Sequence, residues 1–207
     1  MTNFALEFWN ERYSSKDYVY GTEPNQFFKE ELNKIAVPGK LLLPGEGEGR
    51  NAVYAAKLNW NVDAFDQSKT GLKKAKRLAE INSVNINYNI CNLTEFNPGI
   101  NQYAAVAIIF VHLDESIRKS FHQKLINSLK PYGKIIIELF SKNQLGKNSG
   151  GPQDLSMLYS LDEIKRDFYS LKTLILKEDL ISLNEGDKHT GEASVIRFVG
   201  QKVSEHL

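Results

Sequence analysis

Five short apolar runs punctuate the first two thirds of the chain, at Lys40 to Pro44, Asn61 to Phe65, Ile86 to Cys91, Ala104 to Val111 and Lys134 to Phe140, each bounded by turn-forming residues. Runs of this kind read as strands covered on both faces. Between them the apolar residues switch to helical spacing. Ala52, Ala55, Ala56 and Leu58 follow the first run. Leu72, Ala75, Leu78, Ala79 and Ile81 follow Ser68, and Ile117, Phe121, Leu125 and Leu129 follow Asp114, with Ser68 and Asp114 as candidate N-caps. Strand and helix in alternation predict a parallel sheet with right-handed crossovers.

The last third breaks that rhythm. A helix opened by the capping box Ser160-Leu161-Asp162-Glu163 leads into two long strand-like runs, Leu171 to Leu183 and Ser194 to Val203. The polar, glycine-bearing stretch Asn184-Glu185-Gly186-Asp187-Lys188-His189-Thr190-Gly191 between them suits a hairpin. No repeat, low-complexity tract or composition break divides the chain, so 207 residues read as one domain, with residues 1–35 as a helical lid on a core of 36–207.

Chemistry concentrates where the first strand runs into Pro44-Gly45-Glu46-Gly47-Glu48-Gly49-Arg50-Asn51. Glycines let the backbone turn sharply and approach a ligand, and the helix that follows offers unpaired N–H donors. The spacing is G-x-G-x-G, with Arg50 where the dinucleotide fingerprint needs a sixth-position glycine. Glu46 and Glu48 set carboxylates where a pyrophosphate would sit, so a neutral or cationic ligand is preferred. The second strand ends at Asp66, 17 residues after Gly49, near the spacing at which a carboxylate accepts ribose hydroxyls. The competing reading has Asp66 and Ser68 merely capping the next helix.

Taken together, these residues resemble the class I S-adenosylmethionine-dependent methyltransferases, in particular the tellurite-resistance and thiopurine-type enzymes that act on small molecules. The likeness runs from Phe8-Trp9-Asn10-Glu11-Arg12-Tyr13 through the glycine loop and Phe65-Asp66 to the closing hairpin. It implies a Rossmann-like, doubly wound, mostly parallel seven-stranded sheet with an antiparallel C-terminal hairpin and helices on both faces. It implies S-adenosylmethionine as cofactor, S-adenosylhomocysteine as product and a small-molecule methyl acceptor, a thiol or chalcogen oxyanion. Gly45, Gly47 and Gly49, with Asn51 beside them, would pass under the methionine and ribose; Asp66, flanked by Gln67 and Ser68, would hold the ribose hydroxyls. Asn92 and Leu93 stand where the family has an acid beside the adenine. Leu43 stands where it has an acid for the methionine amino group, with Glu46 the nearest replacement. Trp9, Arg12 and Tyr20 would face the site from the lid. A methyltransferase acting on RNA or protein, and a non-catalytic S-adenosylmethionine-binding regulatory protein, stay open as alternatives.

Open parallel sheets bind ligands at the carboxyl ends of their strands, which selects Phe110, Val111 and His112 after the fourth strand and Phe140 and Ser141 after the fifth. His112 is the candidate general base, with an orienting role as the competing reading. The hairpin around His189 reaches the same rim, and His122 belongs on the surface. Glu138 and Arg197 each put a charge inside a strand, which a cross-strand ion pair explains. Cys91 reads as a buried inert thiol. Lys69, Lys73, Lys74, Lys76 and Arg77 form the wet face of a helix.

The charge balance, 26 Lys+Arg against 25 Asp+Glu, disfavours generic nucleic-acid coating. No run approaches the length of a membrane span, the opening Met1-Thr2-Asn3-Phe4 lacks a leader pattern, and a lone cysteine fits a reducing cytoplasm. No Cys/His grouping has zinc spacing. The neutral total conceals an acidic cleft of Glu46, Glu48 and Asp66, suited to a sulfonium.

Overall fold

The computed structural model describes residues 3–204, so the expectation attached to Met1-Thr2 falls outside the described residues. Their strands make one seven-stranded sheet in the order β3-β2-β1-β4-β5-β7-β6. The strands are β1 (Lys40–Pro44), β2 (Asn61–Asp66), β3 (Asn87–Ile90), β4 (Tyr103–Ile109), β5 (Leu129–Phe140), β6 (Lys172–Asn184) and β7 (Thr190–Gln201). The first five pair in parallel, while β7 runs antiparallel to β5 and β6. Strand order reverses between β1 and β4, and at such a switch point the crossover helices diverge and leave a crevice beyond the strand ends.

The helices are α1 (Asn3–Arg12), α2 (Gln26–Asn33), α3 (Arg50–Lys57), α4 (Lys69–Ile81), α5 (Glu115–Ser128) and α6 (Leu161–Asp167). Because side chains alternate across a strand, β1 sends Leu41 and Leu43 to one face and Leu42 to the other. The first face packs Ala52, Ala55, Ala75, Phe28 and Leu32 of α2, α3 and α4; the second packs Phe121 and Leu125 of α5, Ile164 of α6 and Phe168 just after it. Each fully buried aliphatic side chain contributes on the order of 2 kcal/mol.

Helix starts follow the residues expected. Ser68 accepts from the Gly71 N–H and Asp114 from Ser116, and Ser160 and Glu163 form a reciprocal capping box. The two expected closing strands pair along β6 and β7 from Lys172↔Gln201 to Asn184↔Thr190. Among the described residues no helix is long and apolar enough to cross a membrane.

Two expectations are corrected. The third strand is not covered on both faces: only Tyr88 of β3 is buried, because β3 is an edge strand with a neighbour on one side. His122 is not on the surface. It is 1% exposed and its Nδ1 lies 3.0 Å from Asp167 Oδ2, since Arg118, His122 and Leu125 share the α5 face that packs on α6. Glu138 and Arg197 are register partners on β5 and β7, joined by an ion pair that Asp179 extends.

Candidate active site

The turn after β1 is held by its neighbours. Gly47 has φ +61°, and a Cβ built there would lie 2.5 Å from the Tyr13 hydroxyl oxygen, so only glycine admits that ring. The Gly47 N–H donates to Asp66 Oδ2 at 3.0 Å and its carbonyl accepts from the Tyr88 hydroxyl at 2.6 Å. Asp66, at the end of β2, also accepts from the Ser68 N–H through Oδ1 at 2.8 Å. One carboxylate thus braces both the glycine turn and the start of α4. Burial, opposed by the Ser68, Gly47 and Gln67 N–H groups, pushes its pKa up to about 6.

Glu46 sits at the N-terminus of α3 and accepts from the Ala52 N–H at 2.8 Å. Burial pushes it up to about 7 against the pull of that N–H and of Arg50. Glu48 points elsewhere: it accepts from the Val19 N–H at 2.9 Å and pairs with Lys74 at 2.6 Å, fastening the N-terminal segment to α4. Lys74 therefore leaves the wet face on which the helical spacing put it, whereas Lys69, Lys73, Lys76 and Arg77 are exposed.

Beyond the ends of β1, β2, β4 and β5 lies a cleft of about 510 Å³. The structure brings Trp9, Arg12, Tyr20, Gly45, Glu46, Asn51, Asp66, Gln67, Leu93, Phe110, Val111 and His112 to its wall, and Tyr13, Phe140, Met157 and His189 with them. Gly47, Gly49 and Ser68 stand behind that lining as its support. So does Asn92, whose Oδ1 accepts from both the Thr94 N–H and hydroxyl, at 3.0 and 2.9 Å, in an Asx turn that uses both lone pairs.

Rings form a continuous arc along the cleft. Trp9 stacks on Tyr13 at 5.5 Å, Tyr13 meets Tyr20, and Tyr20 meets His189 at 4.5 Å. His189 abuts Phe110 at 4.6 Å, and Phe110 stacks on Phe140 at 4.5 Å. Phe110 holds φ +53°, a costly left-handed conformation for an aromatic residue, fixed by its N–H to the Glu138 carbonyl at 2.8 Å.

His112 has both ring nitrogens engaged. Nδ1 lies 2.9 Å from the Met157 carbonyl, which assigns the proton to it, and Nε2 accepts from the Phe140 N–H at 3.4 Å. Burial pulls its pKa down to about 4, so the ring is neutral and positions the segment around Met157. Cys91 is half-buried, donates to the Asn92 carbonyl at 3.4 Å, and has a thiol pKa raised by burial. The sequence reading missed Met157 and Glu185. Glu185 lies four residues before His189 in the β6–β7 turn, and that spacing was the available signal.

A sheet reversing at β1 and β4, a glycine turn braced by the acid that ends β2, and a cleft over the strand ends define the class I S-adenosylmethionine-dependent methyltransferases. Within that class, the family model described as tellurite resistance protein TehB matches residues 8–201, and the chain belongs to that family. Among solved structures, TehB from Haemophilus influenzae is 16% identical with a TM-score of 0.71, over 95% of this chain and 66% of that one. The Burkholderia thailandensis 1,6-didemethyltoxoflavin-N1-methyltransferase, solved with 1,6-didemethyltoxoflavin and S-adenosylhomocysteine, is 14% identical with a TM-score of 0.64, over 86% of this chain and 76% of that one. The tRNA (uracil(54)-C(5))-methyltransferase of Pyrococcus abyssi is 25% identical over 78% of this chain, which spans 39% of that enzyme's length.

Proposed function

We propose that the chain is an S-adenosylmethionine-dependent methyltransferase whose acceptor is a small-molecule nucleophile of the thiol or chalcogen-oxyanion type. One observation carries this reading: one cleft of about 510 Å³ is lined both by carboxylates, Glu46 and Asp66, and by the rings of Tyr20, Phe110 and Phe140.

The residues present fit the cofactor. Asp66 lines the cleft and, beyond its bonds to the Gly47, Ser68 and Gln67 N–H groups, keeps acceptor capacity for a ribose hydroxyl. Glu46 is half-buried at the α3 start, where an ammonium group would draw it back to its ionised form. Leu93, Val111 and Ile117 supply an apolar slot for a purine, a part the Asx turn withholds from Asn92. Bound there, the cofactor supplies an electrophilic methyl group on a sulfonium. The chain's contribution is alignment and dryness: Trp9, Tyr13 and Tyr20 of the N-terminal segment exclude water, and the Phe110–Phe140 stack holds an acceptor in line. Residues 1–35 act as the lid in this reading and 36–207 as the core.

Calorimetry with S-adenosylmethionine and S-adenosylhomocysteine is the direct test, followed by product release with thiols, selenite, tellurite and bulk tRNA. Micromolar to submillimolar binding of both and turnover with a small acceptor are expected; no binding at millimolar concentration sinks the reading. The Pyrococcus relative motivates RNA as a second acceptor class, and methylation of tRNA in preference to every small acceptor would establish it.

A further inference from the structure

The β6–β7 turn carries a histidine–carboxylate pair that the function proposed above leaves unused. His189 is 6% exposed and lines the cleft between Tyr20 and Phe110. Its Nδ1 is buried without a hydrogen-bond partner, and Glu185 Oε2 lies 3.5 Å from it. That separation is long for a hydrogen bond, as such contacts are before a ligand closes the site. Glu185 is anchored independently: Arg50 Nη2 donates to Oε2 at 2.7 Å and Asn25 Nδ2 to Oε1 at 3.0 Å. The turn itself is closed by the Glu185 N–H to the His189 carbonyl at 2.8 Å, which fixes the two side chains on one side.

A carboxylate facing Nδ1 places the ring proton there and leaves the Nε2 lone pair as the acceptor. The opposite edge of the ring packs against a glycine. A Cβ built on Gly150, at φ +124°, would lie 2.6 Å from His189 Cδ2 and 3.1 Å from Nε2. Gly151 gives the same freedom beside Phe140, where a Cβ would lie 2.7 Å from the ring. Two successive glycines thus let this segment pack directly against the His189 and Phe140 rings, where a Cβ has no room.

We propose, resting on the methyltransferase reading, that His189 is the catalytic proton acceptor, that Glu185 is its positioning residue, and that the acceptor class is an uncharged X–H nucleophile such as a thiol or phenol. His112 cannot share this task, because both its nitrogens are engaged. An oxyanion has free lone pairs and needs no base, whereas a protonated thiol does. In the step, the lone pair of X forms the bond to the methyl carbon as the carbon–sulfonium bond breaks, leaving its electron pair on sulfur. The X–H proton moves to His189 Nε2 and leaves to water with product release.

The charged and titratable groups around the ring are Glu185, Arg50, Arg12, His112 and the Tyr20 hydroxyl. Burial and the two guanidiniums outweigh Glu185 and hold the imidazole below its usual value, neutral and able to take a proton at pH 7. Burial also works against the ionised Glu185, but His189 and Arg50 overcome it and hold that carboxyl down to about 2.

The test compares benzyl mercaptan, a thiol at neutral pH, with 4-nitrothiophenol, which is already a thiolate. His189→Asn and His189→Gln should lower kcat/KM for benzyl mercaptan by roughly 100-fold or more and for 4-nitrothiophenol by less than about 5-fold. Glu185→Gln should move the acidic limb of the benzyl mercaptan profile to lower pH, because it removes the charge that favours the imidazolium. S-adenosylhomocysteine affinity should be unchanged in all three variants. Equal losses with both thiols would make the pair structural and overturn the proposal. So would wild-type turnover of selenite or tellurite with none of either thiol. Absence of S-adenosylhomocysteine binding to the wild type would instead remove the methyltransferase reading beneath it.

Discussion

Glu46→Gln isolates the cost of the buried charge that the cleft carries before a ligand arrives. In the folded chain the Glu46 carboxyl is raised from 4.5 to about 7, with burial as the main cause. The folded state therefore holds its proton over a range in which the unfolded state has lost it. Below about pH 4.5 both states are protonated and the residue contributes no pH dependence. As pH rises from there towards 7 the unfolded state gains, and above about 7 the penalty is constant. Glutamine titrates nowhere, so the stability of the variant minus that of the wild type must rise with pH.

Integrated between about pH 5.5 and 8.5, that shift corresponds to roughly 2 kcal/mol, and water reaching the half-buried group from the cleft trims it to between about 1 and 2. Urea denaturation of the ligand-free protein at both pH values measures it. The lost contact to Asn51 adds an offset common to both pH values and cancels in the difference. A flat difference would mean that Glu46 titrates as in the unfolded chain. A difference that falls with rising pH would mean that the Arg50 charge dominates over burial, and either result refutes the reasoning.

Other outcomes follow from the same geometry. Asp66→Ala should weaken S-adenosylhomocysteine binding by ~1 to 3 kcal/mol in calorimetry, since charge-assisted bonds to hydroxyls are lost; unchanged affinity would take Asp66 out of the site. Gly49→Ala should lower stability by about 2 to 4 kcal/mol, because φ is +91° and the new Cβ would meet Ala75 Cβ at 2.7 Å; a shift within error in the urea midpoint would contradict the packing. Glu138→Ala should cost about 3 kcal/mol by leaving Arg197 and Asn25 without their buried partner, read as a lower denaturation midpoint at pH 7.

Much of the fold was legible because it depends on periodicity and local chemistry. β1, β4 and the second half of β5 carry strongly apolar runs, and Ser68, Asp114 and Ser160 cap helices through side chains within three residues. The glycine turn and Asp66 were legible for the same reason, since spacing along the chain fixes which of them can meet at a strand end. β3 misled because an edge strand and a central strand can share one composition, and only pairing with neighbours distinguishes them.

By itself, then, the sequence determined the order of strands and helices, the closing hairpin, and the acidic, glycine-bearing turn after the first strand, because each is encoded within one or two turns of chain. Tertiary structure alone decided what the charged and aromatic side chains do. His122 is buried because Asp167, 45 residues away, faces it. Glu48 is structural because Val19 and Lys74 reach it, His112 is engaged because Met157 and Phe140 close on it, and His189 meets Glu185 across a tight turn inside a ring-lined cleft. Hydrogen bonds and desolvation act over a few ångströms, and distances of that size between remote residues exist only once the sheet has assembled.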